Sequence, residues 1–317
     1  MRPTGPLHVG HLLGALDNWV KLQQTHECFF MVADLHALMG EYENPVNIRE
    51  NSIKMVEDWI GAGIDPERST LFIQSEIPEH SELAVILGMI TPLGWLERNP
   101  TYKEQLREIT GRDLTTYGFL GYPVLQAADI LLYKAHVVPV GEDQLAHLEL
   151  TREIVRRFKF LYKKDIFPEP LGIMTKEARI LGTDRRKMSK SYGNAIDLSD
   201  SAENIRKKTV SMITDPARLK VTDPGHPEAC NVFSYYRIFT DETKVNAVRD
   251  WCTGAKKGCI DCKKEMAETL TKRLEPFRSG DPVARRAEAE VALKKGRERA
   301  SVVARQTLKE VKELLHL

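Results

Sequence analysis

Two short motifs, far apart in the chain, carry side chains suited to phosphate chemistry. The first is His8-Val9-Gly10-His11 and the second is Lys187-Met188-Ser189-Lys190-Ser191. Histidine N–H groups and lysine ammonium groups can stabilise a polyphosphate while its charge shifts during reaction. A glycine lets the backbone approach such a ligand closely, and a helix that begins near residue 11 would direct N–H groups toward an anion. Together the motifs predict a nucleotide site in which positioning and electrostatics supply most of the catalysis.

The strands and helices that would position these motifs alternate over the first two-thirds of the chain. Continuous apolar runs predict buried strands at 28–33, 70–73 and 137–140. Amphipathic stretches predict helices at 11–24, 46–60, 81–89, 124–133 and 142–158. This alternation is typical of an α/β fold with a parallel sheet.

The last third of the chain has a different pattern. From residue 198 onward strand-like runs are scarce and Lys/Glu-rich helical stretches dominate, punctuated by Asp-Pro turns at residues 215 and 223. We therefore predict two domains, an α/β domain over residues 1–180 and a helical domain over residues 181–282. We expect residues 283–317 to form a long helix, or a pair of helices, that packs back on the first domain.

The composition restricts the class of protein and its partners. Charged residues make up 29% and hydrophobic residues 42% of the 317, which is ordinary for a globular protein. Neither a signal peptide nor an apolar run long enough to span a bilayer is present, so we expect a cytoplasmic location and no membrane. Residues 1–150 hold 10 Lys+Arg against 21 Asp+Glu, whereas residues 151–317 hold 36 against 24. The basic second half favours a polyanionic partner there, although Lys-rich surface helices would give the same count.

The two motifs resemble the signatures of the class I aminoacyl-tRNA synthetases. The resemblance implies a Rossmann-like catalytic domain that forms an aminoacyl adenylate from ATP with Mg²⁺, and an all-α domain that binds the anticodon of tRNA. It assigns catalysis to His8, His11, Lys187 and Lys190. It places ATP against Arg2, Thr4, Gly10, His11, Gly141, Glu142, Asp143, Ile180, Lys187, Met188, Ser189, Lys190 and Ser191. The second motif lies between the two predicted domains, where it could couple tRNA docking to adenylate chemistry.

Three longer stretches, 65–75, 121–133 and 138–144, are similar to bacterial tryptophanyl-tRNA synthetases. This resemblance implies a tryptophan–tRNA ligase that makes tryptophanyl-AMP and esterifies the 3′ end of its tRNA, working as a homodimer. An indole ring offers one N–H donor on a large apolar body, so its pocket needs one acceptor and apolar walls. The resemblance assigns the acceptor to Asp129. It assigns the contacts with the amino and carboxylate ends of the amino acid to Tyr122 and Gln144, the walls to Val138 and Val140, and a place near the pocket to His36.

Other functions remain open on the sequence alone. A tyrosyl-tRNA synthetase shares the compact layout, and a non-aminoacylating paralogue could use the same fold to sense an amino acid or RNA. A small nucleotidyltransferase uses a motif like residues 8–11, but the length of the chain and its helical part argue against that assignment.

Four of the five cysteines form a C-x21-C-x6-C-x2-C array made of Cys230, Cys252, Cys259 and Cys262. Four thiolates at such spacing can hold a tetrahedral zinc ion or a 4Fe–4S cluster. A subset of bacterial tryptophanyl-tRNA synthetases carries a similar array that binds 4Fe–4S, with a first gap one residue longer, and this favours the cluster over zinc. The lysines at 256, 257, 263 and 264 surround the array and predict a basic face for tRNA.

The first residues depart from the family pattern. Relatives begin with a short apolar strand before the Pro-Thr-Gly turn, whereas here Met1-Arg2 leads directly into Pro3-Thr4-Gly5. We expect a chain extended upstream by such a strand to be more stable and more active, because the strand would pair with its neighbour's backbone.

Overall fold

The computed structural model describes residues 1–45, 47–100, 102–103, 115–174 and 180–317, except for the side chains of Asp143 and Ser191. Its first helix, α1, runs through three consecutive segments, Val9–His11, Leu12–Leu16 and Asp17–Leu22. The middle segment is a π-helix, a wider turn that is found mostly at functional sites.

Strands and helices alternate after α1, and helices alone follow residue 200. The first group contains β1 (Cys28–Val32), α2 (Asp34–Glu41), α3 (Ile48–Gly61), β2 (Ser69–Ile73), α4 (Glu79–Ile90), α5 (Leu93–Glu97), α6 (Tyr117–Leu131), β3 (Val137–Val140), α7 (Leu145–Tyr162) and β4 (Leu171–Met174). The second group contains α8 (Ala202–Ser211), α9 (Asn231–Phe239), α10 (Glu242–Thr253), α11 (Cys259–Arg273) and α12 (Pro282–Leu315).

Most elements lie where the sequence predicts them. The strands predicted at 28–33, 70–73 and 137–140 are confirmed as β1, β2 and β3, and the C-terminal segment is one helix rather than two. Residue 46, the first of one predicted helix, lies outside the described residues. The helix predicted to begin at 124 begins at Tyr117, where Thr116 caps it by accepting a hydrogen bond from the Phe119 N–H at 3.3 Å. The helix therefore contains Pro123, a residue that usually begins or interrupts a helix.

The sequence patterns do not predict α2, α5 or β4. Strand β4 is mostly exposed along its length and contains Gly172, so it has neither a buried apolar run nor clean alternation. A Cβ at Gly172 would lie 2.9 Å from a methyl carbon of Leu148, which explains why the strand carries glycine there.

The described strands form two parallel pairs rather than one continuous sheet. Strand β1 pairs with β2 from Cys28 opposite Ser69 to Val32 opposite Ile73. Strand β3 pairs with β4 from Val137 opposite Leu171 onward. The parallel pairing of β1 with β2 places their carboxyl ends side by side. Ligands bind at this edge in sheets of this kind.

The long helix α12 packs against the first part of the chain. It crosses β2 so closely that a Cβ at Gly296 would lie 1.8 Å from the carbonyl oxygen of Leu71. Ion pairs along the same helix join it to acidic residues of α3, of the segment just before β2 and of α4. These pairs are Arg286–Glu50, Lys295–Glu67, Arg305–Glu79 and Lys312–Glu82. Part of the basic excess in the second half therefore neutralises the acidic excess of the first half. In the described part of the chain, no helix has both the length and the apolar character that crossing a membrane requires.

We expect Gly296→Ala to destabilise the protein, because the added methyl group forces α12 and β2 apart. The free energy of unfolding measured in urea should fall by about 1–3 kcal/mol or more. Gly88→Ala in α4 is the matched control, since a Cβ there meets nothing within 4 Å. That variant should be neutral or more stable by roughly 0.5–1 kcal/mol, and equal losses for the two variants would contradict the close packing.

Candidate active site

The first motif caps helix α1 with its own histidines. His8 Nδ1 accepts a hydrogen bond from the Gly10 N–H at 3.1 Å, and His11 Nδ1 accepts one from the His8 N–H at 3.1 Å. A neutral imidazole whose Nδ1 is an acceptor carries its proton on Nε2. Both rings therefore carry an Nε2–H group, the donor that a phosphate oxygen requires.

Burial keeps both histidines neutral. It lowers the pKa of His8 to about 4, with the charge of Lys190 adding to the effect. It lowers the pKa of His11 to about 3, helped by His8 and Lys190. The two ring centroids lie 3.9 Å apart, a distance at which two imidazolium ions would repel each other strongly. Gly10 makes room for this pair, because a Cβ there would come within 2.8 Å of the His8 ring.

Backbone pairing brings the second motif to the first. The Val9 N–H donates to the Ile196 carbonyl at 3.0 Å, and the Leu198 N–H donates to the Leu7 carbonyl at 2.9 Å. Lys190 consequently reaches the Pro-Thr-Gly turn, where its Nζ lies 3.6 Å from the position of a Cβ on Gly5. Its side chain is half-buried, and burial lowers its pKa. Lys187 is exposed instead, so the two motif lysines occupy different environments.

The other residues assigned to ATP are distributed around these motifs. Ile180 and Met188 are buried in the core, and the Met188 N–H donates to the Ile180 carbonyl at 3.2 Å. Arg2 lines the neighbouring cavity, and the Thr4 N–H donates to the Arg2 carbonyl at 3.0 Å. Gly141, Glu142 and the backbone of Asp143 form the turn after β3, and Ser189 and the backbone of Ser191 lie in the second motif. The side chains of Asp143 and Ser191 lie outside the described part.

A cavity of ≈ 400 Å³ lies beside the first motif at the carboxyl end of β1. This volume falls in the range of small-molecule sites, roughly 300–1,000 Å³. Five of the six residues assigned to tryptophan line it, and the exception is Val140, which is buried with Ile130 and Leu148. The lining consists of Met1, Arg2, Met31, Ala33, His36, Met39, Gly40, Phe119, Tyr122, Gln126, Asp129, Ile130, Val138 and Gln144.

Asp129 is the carboxylate of this cavity. One of its oxygens accepts hydrogen bonds from Gln74 Nε2 at 2.8 Å and His80 Nδ1 at 2.7 Å, and the other accepts one from His36 Nε2 at 2.8 Å. Burial alone would raise the pKa of Asp129, but the hydrogen bonds from His36 and His80 outweigh it and hold the pKa well below its usual range. Asp129 is therefore an ionised acceptor, although its side chain is only 8% exposed.

Two residues behind Asp129 were not found from the sequence. His80 is fully buried, and its Nε2 lies 2.8 Å from the hydroxyl oxygen of Tyr133. His80 thus links Asp129 to Tyr133 through its two ring nitrogens. Gln74 is the other residue, and it follows directly after β2. A polar residue at the carboxyl end of a buried parallel strand is the signal that could have identified Gln74.

A second missed histidine joins two residues at the other end of the cavity. His147 is 1% exposed, and its Nε2 lies 2.6 Å from the Tyr122 hydroxyl. Its Nδ1 lies 3.2 Å from Gln144 Oε1. His147 therefore fixes the relative position of the two side chains that the sequence assigned to the ends of the amino acid.

The four cysteines of the array line a second, smaller cavity of ≈ 30 Å³. Burial raises the pKa of the Cys230, Cys252 and Cys262 thiols, the last of them to about 11. Within the described ranges, no three His, Cys, Asp or Glu side chains come close enough together to hold one metal ion.

Three of the four lysines expected to form a basic face around the cysteines have partners within the protein. Lys257 pairs with Glu265, and Lys264 lies 3.7 Å from a carboxylate oxygen of Asp261, so these two charges are partly balanced. Lys263 donates to the Val210 carbonyl at 2.8 Å, which leaves its charge in place.

Known proteins resemble this chain over its whole length. The family model for tRNA synthetases class I (W and Y) matches residues 1–275. The tryptophan–tRNA ligase of Thermotoga maritima is 47% identical over 323 residues, covering 100% of this chain and 98% of the relative, and that of Aquifex aeolicus is 42% identical over 394 residues with the same coverage. The structure of tryptophanyl-tRNA synthetase from Campylobacter jejuni, complexed with ADP and tryptophan, matches with a TM-score of 0.89 at 30% identity, covering 100% of this chain and 98% of its own. This likeness confirms the expected Rossmann-like α/β fold.

The neutral histidines predict how stability depends on pH. Unfolded histidine has a pKa of about 6.5, so the stability that His8 and His11 contribute is complete above that pH and is lost as the pH falls toward their folded values of about 4 and 3. His11→Asn keeps an acceptor for the His8 N–H but does not titrate. Urea unfolding between pH 7 and pH 4 should therefore show a smaller loss of stability for this variant. His26→Asn, which changes an exposed histidine, should keep the parent slope, and parent-like behaviour of both variants would contradict the burial argument.

Proposed function

We infer that this chain, which belongs to the class I tRNA synthetases for tryptophan and tyrosine, is a tryptophan–tRNA ligase. It joins tryptophan to ATP as tryptophanyl-AMP, releases pyrophosphate and transfers the amino acid to its tRNA. The observation that supports an aromatic substrate with a ring-borne hydrogen-bond donor is the cavity lined by one ionised, buried carboxylate, Asp129. Relatives of 42% and 47% identity along their full lengths carry the same name.

Asp129 is proposed to read the indole ring. Its oxygens already accept hydrogen bonds from Gln74, His36 and His80, so the carboxylate is held in one orientation before substrate arrives. An indole N–H completes this set, whereas phenylalanine would leave an acceptor of Asp129 unpaired. A tyrosine hydroxyl could also donate to Asp129, so rejection of tyrosine depends on the shape of the cavity.

We propose that the opposite end of the cavity holds the amino and carboxylate groups of tryptophan. Tyr122 and Gln144 lie there, and His147 contacts both. The carboxylate must lie next to the α-phosphorus of ATP, because its oxygen attacks that atom as pyrophosphate leaves. A preorganised pair of polar side chains fixes this approach and lowers the entropic part of the barrier.

The phosphate groups are proposed to bind between the two motifs. The neutral His8 and His11 donate from Nε2, while Lys190 and Lys187 balance the charge that develops on the departing pyrophosphate. Mg²⁺, which enters with ATP, neutralises phosphate oxygens. The different exposure of the lysines suggests a division of labour: half-buried Lys190 is preorganised, and Lys187 reaches the phosphates from the surface.

We further propose that the four cysteines hold a 4Fe–4S cluster. One zinc ion would need all four sulfurs about 2.3 Å from a single point, whereas each thiolate of a cluster binds its own iron and the sulfurs lie farther apart. All four cysteines line one cavity, and the similarity of their spacing to the iron–sulfur array of related enzymes favours the cluster over zinc. The cluster would act as a structural link between the ends of α9, α10 and α11.

Residues 1–180 are proposed as the catalytic domain and residues 181–282 as the domain that binds the anticodon. We propose that the protein is cytoplasmic and that two copies form a homodimer. The exposed apolar side chains Val85, Met89 and Leu93, on and after α4, form a surface suited to a second copy of the chain.

The function predicts amino-acid selectivity. Pyrophosphate exchange and tRNA charging should proceed with tryptophan, and tyrosine should be a poor substrate in both assays. Asp129→Asn should raise the KM for tryptophan by about tenfold or more, because the indole N–H loses a charged acceptor. Comparable charging with tyrosine, or no charging at all, would overturn the proposal.

The cluster predicts colour and iron. Protein purified without oxygen should be brown, absorb at about 400 nm and contain about four irons per chain. Cys259→Ser should lose both signals, whereas Cys28→Ser, which changes the buried cysteine of β1, should keep them. A colourless parent protein with one zinc per chain would contradict the cluster.

A further inference from the structure

The loop that carries the second motif is a single hydrogen-bonded unit. We call residues 180–194 the phosphate loop. Its two sides pair where the Gly182 N–H donates to the Arg186 carbonyl at 2.8 Å. Asn194 closes it: its Oδ1 accepts from the Ser189 N–H at 2.8 Å, and its Nδ2 donates to Asp184 at 2.7 Å. A shift at the base of this unit must therefore move Lys190 as well.

Helix α9 holds the base of the phosphate loop through two buried side chains. Asn231 Nδ2 donates to the Gly182 carbonyl at 2.7 Å, and the Tyr235 hydroxyl donates to the Leu181 carbonyl at 2.6 Å. Asn231 is 1% exposed and Tyr235 is fully buried. Residues four apart share one face of a helix, so α9 presents both donors to two consecutive carbonyls.

The loop has little freedom to take another position at this point. A Cβ at Gly182 would lie 2.3 Å from the side chain of Asn194, so the backbone of the base is packed directly against the residue that closes the loop. Asn231 and Tyr235 thus hold a rigid base. A buried carbonyl that loses its donor costs free energy, so removal of either side chain favours other positions of the loop.

We propose that Asn231 and Tyr235 are positioning residues for the adenylation reaction. They act on the phosphates through the loop, because they set where Lys190 stands when pyrophosphate departs. The proposal rests on the proposed function, since the phosphate loop is taken to bind ATP. A residue of the helical part of the chain would thereby determine the geometry of the nucleotide site.

The next residue along α9 provides a matched control. Tyr236 is also fully buried, and its hydroxyl also donates to a backbone carbonyl, that of Cys262 at 2.9 Å. Tyr235→Phe and Tyr236→Phe each remove one hydroxyl group and one such hydrogen bond from the same helix. Only the first change touches the phosphate loop, so a general loss of stability would affect both variants alike.

The test compares the two variants in tryptophan-dependent pyrophosphate exchange. Tyr235→Phe should lower kcat by about tenfold with the KM for tryptophan unchanged, because the loop loses a buried hydrogen bond that sets the position of Lys190. Tyr236→Phe should stay within about twofold of the parent at a similar melting temperature. Equal kcat values for the two variants would overturn the proposal.

A second measurement tests the loop directly and needs no activity. Hydrogen exchange followed by mass spectrometry should show faster exchange across residues 180–194 in Tyr235→Phe and in Asn231→Ser, but not in Tyr236→Phe. If the parent enzyme fails to exchange pyrophosphate with tryptophan, the proposed function fails while this measurement still decides the role of α9. Unchanged exchange in the loop of both α9 variants would overturn that role.

Discussion

The nucleotide site depends on a short backbone pairing between the first residues of the chain and the segment after the second motif. Two hydrogen bonds, from Val9 to Ile196 and from Leu198 to Leu7, join segments that are nearly two hundred residues apart. Closing so long a loop costs entropy, and a pairing of this size cannot offset that cost alone. Burial of the surrounding side chains offsets this entropy. Leu7, Val9 and Ile196 belong to one continuous core that also contains Tyr235 of α9 and Ala289 of α12. The catalytic geometry is thus a property of the whole core rather than of the two motifs.

Two buried carboxylates of this protein have pKa values shifted in opposite directions, and the difference explains what makes Asp129 an acceptor. Asp58 is 2% exposed, its oxygens have no hydrogen-bond partner among the described residues, and the nearest cation, Lys54, is 3.6 Å away. Burial raises its pKa to about 6. Asp129 is as deeply placed, but three side chains donate to it, and its pKa moves the other way. For these two buried carboxylates, the hydrogen-bond donors that the fold directs at the group decide the direction in which its pKa moves.

The sequence predicts those parts of the site that are local and misses those that come from distant elements. His8, His11 and Lys190 are recognisable because each lies in a short motif whose residue types and spacing suit phosphate chemistry. Gln74, His80 and His147 are not, since each looks like an ordinary polar residue until β2, α4 and α7 bring it to the cavity. The charge asymmetry shows the same limit. The excess of basic residues in the second half favours a polyanionic partner, yet several of these residues lie on α12 and form ion pairs with acidic residues of the first half. A count of charged residues does not distinguish those that form ion pairs within the protein from those that bind a partner.

Helix α9 begins between the phosphate loop and the cavity of the four cysteines. Its first residue, Asn231, holds the phosphate loop, and the residue before it, Cys230, lines the cavity of the four cysteines. Adjacent residues at the start of a helix cannot move independently, because the first turn fixes their backbone angles together. The proposed coupling between the helical part and the nucleotide site would therefore act through this shared turn rather than through a long path of residues.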